Sequence, residues 1–271
     1  MAKSRRCKSG AAKRKPGRRK IVLGLGSYVP EEFPESAEVT EQRLRAMPAE
    51  LLPTLGLAES YLGCSPIRQA NQATLACWVI MTSLMEFGIH PEVVGARVEV
   101  ASDRGGVISY GDCNPSFNLS EGTVGHVVLI ADGKFLDPTG GQFPEIARAG
   151  GVRAVGANLE GSVQQALRRG AIVQLRMFSD DGPIQAVYRL GAQGSADAAM
   201  TGFIEQPNAV ENVARMSSNL SLIFTRTVSE MPDKLVELER NPVYRKIVAK
   251  ARRVANRDIV ADENGLLHIV P

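Results

Sequence analysis

Two short apolar runs meet across Asp132-Gly133, and this dipeptide constrains the fold more than any other feature of the chain. One run is His126-Val127-Val128-Leu129-Ile130-Ala131; the other is Lys134-Phe135-Leu136-Asp137-Pro138-Thr139. Asp-Gly between such runs is a strong signal for a two-residue hairpin, because both turn positions want positive φ. With Asp132 and Gly133 as the loop, Ala131 faces Lys134 and His126 falls opposite Thr139. Side chains alternate along a strand, so Asp137 shares a face with Thr139 and therefore with His126. The two become diagonal neighbours, within reach of an imidazole–carboxylate hydrogen bond. A carboxylate on one ring nitrogen fixes the tautomer and leaves the other free as a base.

A base of this kind needs a nucleophile, and the preceding helix is where one would sit. Ala70, Ala73, Cys77, Ile80, Leu84 and Phe87 recur at spacings of three and four, which draws one apolar stripe down a helix from about 71 to 87. Ser65-Pro66 is read as its start and Gly88 as its stop.

Gln72-Ala73, a small residue at 77, a helix and then Gly88-Ile89-His90-Pro91-Glu92-Val93-Val94 resemble the transglutaminase-like superfamily of the papain-like cysteine fold. That family carries Gln-Cys or Gly-x-Cys, a helix and Gly-Ile-Pro-Ala-Arg-Val-Val. Its second signature, a histidine, an apolar strand, a turn and Asp-Pro-Thr, is similar to His126 through Thr139. The resemblance covers roughly residues 65 to 140. It implies an α+β fold with a central helix packed on an antiparallel sheet. It also implies thiol acyl transfer on a peptide or protein amide (hydrolysis, deamidation or amine transfer) through a Cys-His-Asp triad, with no cofactor and no metal. His126 would take the thiol proton, Asp137 would orient it, and the thiolate would form a thioester. Asn71, Gln72, Trp78 and Gln142 would line the cleft or assist the oxyanion.

The nucleophile is where the chain departs from the pattern. Counting back from Gly88, the family's cysteine position is Ala73. Cys77 lies one helical turn later and is followed by Trp78, a Cys-Trp pair that these enzymes also show. One register leaves the chain without a nucleophile, as a pseudoenzyme or a Cys-to-Ala variant; the other makes Cys77 the nucleophile. Cys113, in a loop, is a weaker rival because it lacks the helix N-terminal field that lowers a thiol pKa. If the slot is empty, the alternative function is a peptide-binding or scaffold protein that keeps the cleft without turnover.

Charge divides the chain. Residues 1–20 hold ten Lys or Arg and no acid, leaving 22 basic against 29 acidic residues in the remainder, a net −7. The arm suits an anionic partner or nucleic acid through counterion release, although no aromatic residue interrupts it to stack on bases. Four cysteines (Cys7, Cys64, Cys77 and Cys113) form no Cys-x-x-Cys pattern, which argues against structural zinc and for a reducing, cytoplasmic setting. No stretch has the length of a membrane span. The domain reading is a basic arm (1–20), a transglutaminase-like core (21–195) and a helical extension (196–271). Within it, helices broken at Pro48 and Pro53 cap the core, and Val93 to Val100 is a strand. Residues 101–122 form a polar loop, 171–177 and 184–190 are strands, and Gly191 to Asp197 is a linker. Helices follow over about 208–226, 233–240 and 242–256. The last of these pairs an apolar stripe (Val243, Ile247, Ala251, Val254) with a basic face.

Overall fold

The computed structural model describes residues 37–64, 72–102, 106–147, 153–159, 167, 170–179 and 182–270. The basic arm, Ser65-Pro66 and Asn71 lie outside the described residues.

The chain enters through α1 (Ala37–Ala46), a 3-10 turn at Ala49–Leu51 and a π-turn at Leu52–Gly56, then α2 (Leu57–Cys64). Pro53 does not break this segment: it sits in the first turn of the π-helix, where a missing N–H costs little, and the Leu57 N–H reaches back to the Leu52 carbonyl. The helix expected from the apolar stripe is α3 (Ala73–Glu86). It opens at Ala73 behind Gln72, which has no side-chain cap bond, and it stops at Gly88, whose φ of +79° suits a residue without a Cβ.

The strands follow as β1 (Glu92–Ser102), β2 (Val107–Asp112), β3 (Ser116–Asn118), β4 (Gly122–Val124), β5 (Val127–Ala131) and β6 (Lys134–Asp137). A 3-10 turn at Gly140–Gln142 and the single turn α4 (Pro144–Ala147) lead to β7 (Val155–Asn158), β8 (Ala171–Ser179) and β9 (Gly182–Leu190). They build a seven-stranded antiparallel sheet in the order β7-β6-β5-β1-β9-β8, with β2 also paired to β1. Strand β1 changes partner part-way: Glu92 to Gly95 pair with β5, and Ala96 to Ala101 pair with β2. The expected loop at 101–122 is therefore largely strand. It hid from its pattern because β2 is exposed apart from the half-buried Tyr110 and shows no alternation.

Beyond the sheet come α5 (Asp197–Ile204), α6 (Ala209–Ser229), α7 (Pro232–Glu239), a 3-10 turn at Pro242–Tyr244, α8 (Arg245–Val254) and a hairpin of β10 (Ile259–Ala261) and β11 (Leu267–Ile269). The segment read as a linker thus leads directly into α5. Val213, Leu220, Phe224 and Val228 of α6 join Cys77, Ile80 and Leu84 of α3 in one core, and the Ser83 hydroxyl donates to the Ser217 carbonyl at 3.1 Å. The helical part from 196 shares this core with the sheet. Its basic face is partly used internally, with Lys250 on Glu86 and Arg252 on Glu239. Val243, placed on the apolar stripe by spacing, is instead exposed at the 3-10 turn that precedes α8.

The sheet has a core on each face. Val127, Leu129, Ala131 and Leu136 meet the helices. Val94, Ala96, Val98, Val128, Ile130, Phe135, Phe143 and Tyr188 form the second core on the other side. Each fully buried Leu or Phe stabilises the fold by roughly 1.5–3 kcal/mol. A largely buried ion pair, Arg153 on Glu59 at 2.7 Å, ties the approach to β7 to α2.

Candidate functional site

Asp132 and Gly133 adopt φ values of +48° and +70°, and Ala131 pairs with Lys134, Ile130 with Phe135 and Leu129 with Leu136. This is the register read from the sequence. It places His126, one residue ahead of β5, where β1 changes partner, and the Ala96 N–H donates to the His126 carbonyl at 2.9 Å. Gly111 at the end of β2 makes that junction possible. Its φ is +72°, and a Cβ there would lie 2.5 Å from the Ala96 carbonyl oxygen and 2.6 Å from the His126 Cβ.

His126 Nε2 lies 2.9 Å from Asp137 Oδ2. The same oxygen accepts from the Tyr188 hydroxyl at 3.0 Å, and Asp137 Oδ1 accepts from the Thr139 N–H at 3.0 Å. A carboxylate only accepts, so Nε2 carries the ring proton of a neutral His126 and Nδ1 presents a lone pair. That lone pair faces the Gln142 amide, whose Nε2 is 3.2 Å from Nδ1 and 3.3 Å from Thr139 Oγ1. The Phe143 ring meets the imidazole edge-on at 5.1 Å between centroids. His126 is 2% exposed and Asp137 is fully buried. Tyr188 was not singled out from the sequence. Its alternation along β9 marks it as core, but nothing local shows that its hydroxyl meets a carboxylate 51 positions away. Burial, and then the neighbouring Asp137 charge and hydrogen bond, push the Tyr188 phenol well up.

The nucleophile candidates stand differently. Cys77 is fully buried in the helix-side core, and its sulfur lies 3.5 Å from the Val127 carbonyl, to which the thiol donates; among the described residues it makes no bond to the His126 ring. Burial, with a smaller contribution from the Asp137 charge, pushes this thiol well above its ordinary value. An activated cysteine is shifted the other way. Ala73 is buried in the same core at the first turn of α3 and offers no group to the ring. Beside it, the Thr74 and Thr123 hydroxyls bond at 2.7 Å and tie α3 to the β3–β4 hairpin.

The remaining expectations divide as follows. Gln142 does reach His126, but on the nitrogen that acyl transfer would need free. Trp78, expected at the cleft, packs against Phe203 of α5 with ring centroids 5.9 Å apart and planes tilted by 40°. Gln72 precedes α3, half-buried, and its carbonyl accepts from the Ala76 N–H at 2.9 Å. Cys113 donates to the Arg189 carbonyl at 3.2 Å. His268 lies 3.1 Å from Asp262 in the exposed C-terminal hairpin, and that contact holds the Asp262 carboxyl below its ordinary range.

Two clefts open elsewhere. One of about 510 Å³ lies between the Glu50 turn and α7, and one of about 410 Å³ lies at the far end of β8 and β9. Neither is lined by His126, Asp137 or Cys77. Among the described residues no three His, Cys, Asp or Glu side chains gather as metal ligands, and no helix is long and apolar enough to cross a membrane. Comparison with protein-family models, with curated proteins and with solved structures gave no match.

Proposed function

We propose that this chain is a non-catalytic binding protein on a transglutaminase-like α+β scaffold, with Ala73 standing in the position of the nucleophile. The observation that carries the reading is the Cys77 thiol, which is fully buried, pushed up in pKa and spent on the Val127 carbonyl at 3.5 Å. The resting His126 ring supports it further: Asp137 takes Nε2 at 2.9 Å and the Gln142 amide takes Nδ1 at 3.2 Å, so among the described residues the ring meets no thiol. Thioester chemistry at Cys77 would require the opposite of each of these. The partner belonging to this reading is a peptide or protein segment that is held without being cleaved.

Iodoacetamide treatment of the native chain, followed by peptide mapping, tests the reading. The account predicts modification of the exposed Cys64 while Cys77 stays unmodified until denaturant is added. Rapid native modification of Cys77 that disappears in His126→Ala would overturn it, because only an activated thiol behaves that way.

A further inference from the structure

The two ring nitrogens of His126 are held in different ways. Behind Nε2 lies the fully buried Asp137 carboxylate at 2.9 Å, itself held by the Tyr188 hydroxyl and the Thr139 N–H, each 3.0 Å from one of its oxygens. Among the described residues, Nδ1 is bonded by the half-buried Gln142 side chain, at 3.2 Å to the ring and 3.3 Å to Thr139 Oγ1. Both are at or beyond the long end for an N–H donor. The turn that carries Gln142 is closed by its own backbone, with the Gln142 N–H on the Thr139 carbonyl at 2.9 Å and the Phe143 N–H on Gly140 at 3.2 Å. Rotating the Gln142 side chain therefore costs two long bonds and leaves the turn intact.

We propose that Gln142 is a displaceable cover on Nδ1 of His126, and that the ligand of this site carries an N–H or O–H donor that takes the place of its amide. The inference deepens the binding reading above and rests on it. With the Nε2 proton committed to Asp137, Nδ1 offers only a lone pair, so whatever replaces the amide must donate. A carboxylate or phosphate would set lone pair against lone pair, with the Asp137 carboxylate directly behind the ring. An amide, hydroxyl or ammonium group is complementary to both.

Diethyl pyrocarbonate, which acylates an imidazole nitrogen that has a free lone pair, tests this on the full-length chain. Peptide mapping separates His126 from the exposed His90 and His268. The rate at His126 is expected to rise about fivefold in both Gln142→Ala and Gln142→Asn, the fold-change one net hydrogen bond corresponds to. Acetamide, a small N–H donor, should slow the reaction in these variants, and acetate at the same ionic strength should not. The proposal is overturned if His126 in both variants stays as slow as in the wild type, or if acetate protects as well as acetamide. It is also overturned if Cys77 becomes thiol-reactive in step with His126 in both variants, since the amide would then be holding the core together. None of these results bears on Cys77 labelling in the wild-type chain, which tests the binding reading separately.

Discussion

His126, Asp137, Tyr188 and Gln142 form a chain of hydrogen bonds in which each member has one assignable role, and its energetics can be probed one atom at a time. Tyr188→Phe removes a donor from a fully buried carboxylate while keeping the ring against Phe135, which it meets at 4.7 Å. Urea unfolding should show a loss of about 1–3 kcal/mol, the cost of leaving a buried acceptor short of a donor. Cys77 makes a prediction about pH. Its folded thiol is raised above its ordinary value of 9.0, and Tyr188 above 10.0, both first by burial. A group whose folded pKa is raised stabilises the fold fully below its unfolded pKa and loses that contribution as pH climbs toward the folded value. Stability measured by denaturant midpoint should therefore hold up to about pH 9 and then fall, each such group costing about 1.4 kcal/mol per pH unit. Cys77→Ala should make the initial fall between pH 9 and 10 shallower; an unchanged slope would show that the thiol is not shielded.

At the scale of elements, the β5–β6 hairpin was legible because its turn chemistry is local: Asp132-Gly133 fixes the register, and the register brings His126 to Asp137. The α3 stripe and the strands β8 and β9 were legible for a similar reason, since 3.6- and 2-residue periods survive in the sequence. What stayed hidden depends on distant partners. The segment 107–112 became β2 only because β1 offers it an edge, and Gln142 reached Nδ1 through a turn whose direction no pattern encodes. Gly111→Ala tests that junction. Positive φ and a Cβ 2.5 Å from a carbonyl oxygen should together cost about 3 kcal/mol, read as a lowered midpoint in urea. The Glu59–Arg153 pair tests the tie between α2 and the approach to β7. Glu59 is 5% exposed and its carboxylate holds the Arg153 guanidinium at 2.7 Å, so Glu59→Ala should destabilise by about 1–3 kcal/mol, the value of a lost charge-assisted hydrogen bond, whereas Glu41→Ala, at a half-exposed pair with Arg45, should cost less than about 1 kcal/mol.

Across the whole molecule, α3, the helix-facing side of the sheet and the helices from α5 onward share one core, so the helical extension read from 196 packs together with the sheet. Phe224 of α6 lies 6.1 Å from Phe87 at the end of α3, and Tyr244 reaches back to Asp132 and Lys134 at the hairpin turn. The C-terminal helices thereby brace both elements that carry the candidate site. The arrangement resembles catalytic machinery in its histidine and its acid, and departs from it where a thiol should meet Nδ1. The direct measurement is a long-range 1H–15N spectrum of the histidine ring nitrogens in the native chain at neutral pH. The account predicts that His126 is the neutral tautomer with its proton on Nε2, and that its Nδ1 resonance shifts in Gln142→Ala and stays fixed in Cys77→Ala. A ring protonated on both nitrogens, losing that second proton in Cys77→Ala, would reveal a thiolate–imidazolium pair and contradict it.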